Sequence, residues 1–270
     1  VVPMTIMINL LATIAWLATF ILIGLRLRQR LQGQPVQYHY LLQVSWLAAL
    51  LLQGMSVFYN LWHEPGLYLS FTMASSPIMW LCNLLLFIAN LKRPLETLVL
   101  FILPFTLSTM LIAGLEDRPT NLLNLNDGLG LHIFFSLLAY SMLAIAALLA
   151  LFLAWQNRHL HNHKPSGLIR TLPPLLDMEA LLFQFIMAGV VLLALGLLTG
   201  GFYVDDLFAQ HLAHKTLLSI LALFVFSTLL YGHWRYGWRG RKAIHWTLSG
   251  FILLMLAFFG SKFVLEFLIS

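Results

Sequence analysis

Eight apolar runs, each close to the length that crosses a bilayer, recur along the chain near 4–25, 40–61, 70–91, 96–115, 130–154, 180–201, 215–233 and 246–268. A helical span needs about 20 apolar residues to cover roughly 30 Å of hydrocarbon. No run alternates polar with apolar residues, so the pattern of an outer-membrane strand is excluded and helices are the spanning structure left. The expected fold is all-α, a polytopic transmembrane helical bundle of about eight spans forming a single transmembrane domain over residues 1–270. Composition agrees: 60% of residues are hydrophobic and 9% charged, whereas a soluble domain carries about a quarter charged residues. Spans of this number leave only short loops and no room for a separate soluble domain. Val1-Val2-Pro3 has no basic region before the first run and no small-residue cleavage pattern, so that run is expected to be a retained helix rather than a signal peptide.

The basic residues set an orientation. With the N-terminus outside, the inner loops hold Arg26, Arg28, Arg30, Lys92, Arg93, Arg158, Lys164, Arg170, Arg235, Arg239, Arg241 and Lys242, which is 12 of the 15 lysines and arginines. Arg118, Lys215 and Lys262 fall outside, together with Glu64, Glu116, Asp117, Asp127, Asp205 and Asp206. The positive-inside rule therefore places both termini on the outer, periplasmic side. Basic residues scattered over several short loops form no single face for nucleic acid. The one cysteine, Cys82, lies in an apolar run and excludes an intramolecular disulfide.

Polar side chains inside spans are costly and hence are candidates for function. His132, Ser136 and Tyr140 recur every fourth residue at the outer end of the fifth run, lining one helical face with imidazole, hydroxyl and phenol. That stripe reads either as interhelical hydrogen bonding or as a ligand-facing surface. His214 precedes the seventh run, beside Lys215 and one turn after His211. The fifth and seventh spans both descend from the outer face, so His132 and His214 enter at similar depth. Two neutral imidazoles opposed across a bundle could ligate haem iron from both sides; a solvated loop histidine is the alternative for His214.

Other features have plainer readings. Asp205 and Asp206 lack a spaced third ligand and read as loop acids. His159, His161 and His163 alternate ahead of Pro165 and read as surface histidines; the segment from Gln156 to Met178, with Pro173 and Pro174, reads as interfacial. The segment Tyr231 to Lys242 mixes basic and aromatic residues, as lipid headgroup anchoring would require, and His233 fits the end of a helix. Pro77, after Ser75 and Ser76, and Pro104 are kink candidates of the kind that can line transport sites. Gly196, Gly200 and Gly201 fit close helix contacts. No phosphate loop, HExxH pair or nucleophile elbow occurs, and no catalytic residue is assigned.

Leu131-His132 through Ala139-Tyr140, then Lys215-Thr216-Leu217-Leu218-Ser219 and Gly237-Trp238-Arg239-Gly240-Arg241-Lys242-Ala243, resembles the cytochrome c assembly family, the group of CcsA, CcmC, CcmF and HemX proteins. Pro173-Pro174-Leu175-Leu176-Asp177-Met178-Glu179 and Tyr231-Gly232-His233 look like its YpjD branch, and the resemblance is strongest over about 70–270. It implies a multi-pass protein of the bacterial inner membrane that binds or handles haem, b-type and non-covalent, beside another inner-membrane protein or cytochrome assembly component. His132 falls on the family's outer-side histidine. The sequence departs from the family where residues 202–214 contain no tryptophan and where the last run, ending Phe263 to Leu268, contains no histidine. His214 could replace that ligand by position. By spacing from Lys215, the family's inner histidine position falls nearer Tyr231 than His233. The leading expectation is a haem-handling protein auxiliary to cytochrome biogenesis. The alternatives are a structural or interaction subunit that has lost the haem site, and a small-molecule or ion transporter.

Overall fold

The computed structural model describes residues 4–63, 66–67, 71–115, 127–161, 171–203 and 210–260. Its elements are α1 (Met4–Leu31), α2 (His39–Leu61), α3 (Phe71–Asn90), α4 (Glu96–Leu115), α5 (Asp127–His161), α6 (Leu175–Tyr203), α7 (Gln210–Tyr236) and α8 (Arg241–Met255), the last continued by a π-helical turn, Leu256–Gly260. Trp62–His63 and Gly66–Leu67 form a short antiparallel bridge after α2. The eight helices fall on the eight apolar runs, residues 261–268 of the last run lying outside the described residues. Six of them, α1, α2, α4, α5, α6 and α7, are long and apolar enough to cross a membrane, while α3 contributes the shorter apolar helix Ala74–Asn90. Pro77 and Pro104 lie within α3 and α4, which continue through them.

Several helices run beyond the apolar runs, α1 to Leu31, α5 to His161 and α7 to Tyr236. Long arginine, histidine and tryptophan side chains at those ends reach water or headgroups without the backbone leaving the helix. The segment expected to lie along the interface is accordingly shortened: α5 absorbs its start, Pro173 and Pro174 lead into α6, and residues 162–170 fall outside the described residues. Helix ends are closed by backbone geometry at some places and by side chains at others, as where Asn90 Oδ1 accepts from Leu95 N–H at 2.8 Å. At the end of α1, Gln34 N–H reaches Gln29 O (2.9 Å) and Gly33 N–H reaches Arg30 O (3.2 Å), a Schellman pattern whose left-handed residue is Gly33, φ 66°. Tyr38, immediately before α2, also has positive φ, 65°.

The chain divides into two compact units, one containing α1–α4 and the other α5–α8. In the first, α1 and α3 each pack on α2 and α4. On α1 one face, Ile8, Ala12, Trp16, Thr19, Ile23 and Arg26, is buried, whereas Leu10, Ile14, Leu17 and Ile21 are exposed and apolar, as a lipid-facing surface must be. The buried face is laddered to α2 by polar rungs: Asn9 with Ser56, Trp16 Nε1 to Gln53 Oε1 (2.9 Å) and Thr19 Oγ1 to Ser45 Oγ (3.3 Å).

The ladder ends in a buried ion pair. Arg26 Nε and NH2 donate to the two Glu96 carboxylate oxygens at 3.0 and 2.8 Å, and its NH1 donates to Gln37 O at 2.9 Å. Arg30 adds a contact to Glu96 at 3.3 Å. Glu96 lies in the first turn of α4, where the helix dipole favours an anion. Arg26 and Glu96 are only 4% and 5% exposed, so each neutralises a charge that the interior could not otherwise hold. Glu96→Ala is therefore expected to lower stability by about 3–5 kcal/mol, read from denaturant unfolding in detergent, and Arg26→Leu in the same background to recover most of that loss.

Candidate functional site

The second unit joins α5 to α6 and α8, and α7 to the same two helices. Its α5–α6 contact is built on glycines of α6 that admit larger side chains of α5. A Cβ on Gly189 would meet Leu143 at 2.7 Å, one on Gly196 would meet Ser136 Oγ at 3.1 Å, and one on Gly200 would meet His132 Nδ1 at 2.8 Å. Moving along α6 by seven and then four residues moves back along α5 by the same steps, so the three contacts are rungs of one antiparallel register. Small residues at this spacing let two backbones approach closely in a membrane.

His132 is more than a knob in this groove. Its Nδ1 lies 2.7 Å from the carbonyl oxygen of Gly196. A carbonyl only accepts, so Nδ1 carries the proton, and in the neutral ring Nε2 holds a lone pair. Nε2 has no hydrogen-bond partner among the described residues. This is the second-shell arrangement that fixes the tautomer and ring plane of a metal-ligating histidine. His159 and His245 differ: they turn Nδ1 back onto the carbonyls of Trp155 and Arg241, one turn earlier in their own helices, while His233, near the end of α7, reaches Trp238 O just beyond it.

The polar stripe on α5 does not face one neighbour along its length. A step of four residues advances about 40° around a helix, so the stripe winds from α6 toward α8. His132 and Ser136 face the α6 glycines, whereas Tyr140 donates to Met255 Sδ at 2.7 Å and packs against the rings of Phe251 and Phe258 at 5.6 and 5.5 Å. Phe258 belongs to the π-helical turn, an irregularity common beside functional sites. His214 lies in the first turns of α7, is exposed, and makes no hydrogen bond or ring contact among the described residues. Asp205, Asp206 and His163 lie outside the described residues. Among those described, no group of three or more His, Cys, Asp or Glu side chains converges as a metal site.

A second cluster closes the other end of α7. Gly237, φ 65°, caps that helix through its N–H to His233 O at 3.1 Å. His233 Nδ1 donates to Trp238 O at 2.9 Å, and its ring stacks on Phe183 of α6 at 3.5 Å between centroids. Trp238 lies over Gly232, where a Cβ would come within 2.3 Å of the indole. Glu179 of α6 takes both Arg239 Nε and NH2 at 3.1 Å and the Gly240 N–H at 3.2 Å. This carboxylate raises the Arg239 guanidinium above its ordinary value. The Pro-Pro-Leu-Leu-Asp-Met-Glu and Gly-Trp-Arg-Gly segments, distant in sequence, are thus two halves of one joint. Sequence reading treated Glu179 only as part of a motif. Its signal was the pairing of an acid just inside one helix with an arginine in a turn 60 residues later.

The family described as Cytochrome C assembly protein matches residues 6–269. Inner membrane protein YpjD of Escherichia coli K12 is 44% identical over 142 residues, covering 53% of this chain and 54% of that protein. An uncharacterized 28.8 kDa protein of Azospirillum brasilense is 37% identical over 142 residues, 52% of each chain. Protein HemX of Brevibacillus brevis is 28% identical over 133 residues, 48% of each chain. The chain thus spans about half the length of the curated relatives it matches. No solved structure matches.

Gly200→Ala is expected to drive the His132 ring off the Gly196 carbonyl at a cost of about 1–3 kcal/mol, the usual penalty for overpacking. Nitrogen-15 NMR of the labelled imidazole reads the result, with the Nδ1-protonated tautomer dominant in the parent protein and redistributed in the variant.

Proposed function

Because the chain belongs to the cytochrome c assembly protein family, we propose that it binds haem through His132 in the bacterial inner membrane and hands it on to cytochrome biogenesis without forming the covalent bond itself. The observation that carries this reading is the His132 Nδ1 contact to Gly196 O, which orients the ring and leaves Nε2 as a neutral nitrogen donor. Haem, when bound, would supply an iron that takes an imidazole nitrogen as a ligand. The residues fit that group: Gly200 leaves the imidazole its space, Gly196 fixes its plane, and Ser136 continues the same face one turn deeper. Cys82 is buried and is the only cysteine, which favours a non-covalent, b-type association. His214 would be the second residue to hold the iron, and Tyr140 a wall on the same helix as His132. The inner-membrane location rests on the name of the Escherichia coli relative, and the recipient is taken to be another membrane protein or assembly component.

A second reading, a structural subunit that has lost its haem, is favoured by one observation: residues 202–214 contain no tryptophan to cradle a porphyrin. It requires a stoichiometric protein partner after gentle detergent extraction.

Purification with haem supplied is expected to give a Soret band with a bis-imidazole spectrum. His132→Ala is expected to weaken binding beyond the 10–100-fold that follows loss of a ligand's outer-shell partner; His214→Ala is expected to convert the spectrum to a five-coordinate form. A protein that shows no Soret band even with added hemin sinks the proposal.

A further inference from the structure

The turn between α7 and α8 is studded with cations that the fold does not neutralise. Arg239 is taken by Glu179. Arg235, Arg241 and Lys242 have no carboxylate partner among the described residues, and all three fall within eight consecutive residues. Two of them sit over aromatic rings, Arg235 at 5.7 Å from the Tyr236 centroid and Lys242 at 5.6 Å from that of Trp238. Cation–π contact holds such groups in place without consuming their charge.

The aromatic residues here divide into two sets. Trp238 is tied inward, stacked with Tyr236 at 6.5 Å and tilted against Trp246 at 5.5 Å. Tyr231, Trp234 and Tyr236 point outward, Trp234 with 84% of its surface exposed. On α7, Tyr231, Trp234 and Arg235 are three and four residues apart and so share a face. They end the span His214–Tyr236, the level at which tryptophan and tyrosine lie among lipid headgroups.

We propose that the α7–α8 turn is a binding surface selective for anionic phospholipid headgroups, with Arg235, Arg241 and Lys242 meeting the phosphate and Tyr231 and Trp234 lying against the glycerol region. Charge complementarity and the outward rings at the end of a span favour a lipid over an acidic protein segment. Glu179 limits the surface: by occupying Arg239 it keeps a fourth cation out of the site and pins the turn through Gly240 N–H. The inference is independent of haem.

The test is native mass spectrometry of the whole chain in detergent, titrated with phosphatidylglycerol or phosphatidylcholine. The parent is expected to retain phosphatidylglycerol in preference. Arg235→Gln/Arg241→Gln/Lys242→Gln is expected to weaken that retention about fivefold per charge, on the order of 100-fold in all. The control Arg28→Gln/Lys92→Gln/Arg158→Gln removes the same charge at exposed sites elsewhere and is expected to leave retention within twofold or so. Glu179→Gln, which releases Arg239, is expected to increase it. Equal retention of the two lipids, equal loss in both triple variants, or an acidic polypeptide that occupies the face in place of lipid would each overturn the proposal.

Discussion

Hydrocarbon offers no water to take up an unmade hydrogen bond, and each polar group left alone there costs several kcal/mol. Everything described above answers to that constraint. The backbone satisfies itself as helices, and left-handed glycines after α1 and α7 turn the last carbonyls back onto the chain. Many buried side chains follow the same rule, although among the described residues Trp46 Nε1, Gln53 Nε2, Asn83 Oδ1 and Gln156 Oε1 are buried with no partner. Trp16 finds Gln53, Asn83 finds Thr106 at 2.8 Å, and Arg26 finds Glu96 rather than facing lipid. Where a side chain has nothing to bond, as Leu143 against Gly189, close packing replaces polar attraction.

The spans were legible in the sequence because each depends only on a local property, the length of an apolar run. The α6 contacts at Gly196 and Gly200 were legible too, since small residues four apart mark a helix interface; Gly201, grouped with them, is exposed, and Gly189 was not marked by that spacing. What could not be read was pairing. Arg26 counted as an orientation signal, yet the structure buries it against an acid 70 residues away. Glu179 and Arg239 looked like parts of separate motifs until α6 and the α7–α8 turn met. The stripe of His132, Ser136 and Tyr140 was correctly placed on α5, but its four-residue repeat overshoots a full turn by about 40° at each step, so only two of its three members reach α6.

His132 is held by a bond between helices, whereas His159 and His245 satisfy themselves within their own. That distinction separates a histidine placed by tertiary structure from one placed by local convenience. Ring orientation here depends on two glycines and one carbonyl of a neighbouring helix, so the imidazole is rigid before any ligand arrives. Such preorganisation means that little ordering would be charged against binding any ligand at Nε2.

The Arg26–Glu96 pair also sets a sequence of events during biogenesis. Arg26 leaves the ribosome 70 residues ahead of its partner, an interval of roughly 4–14 s at about 5–20 residues per second. Throughout that interval Arg26 lacks the carboxylate that meets it in the folded chain. Burial of the pair therefore waits on α4, which carries Glu96 in its first turn.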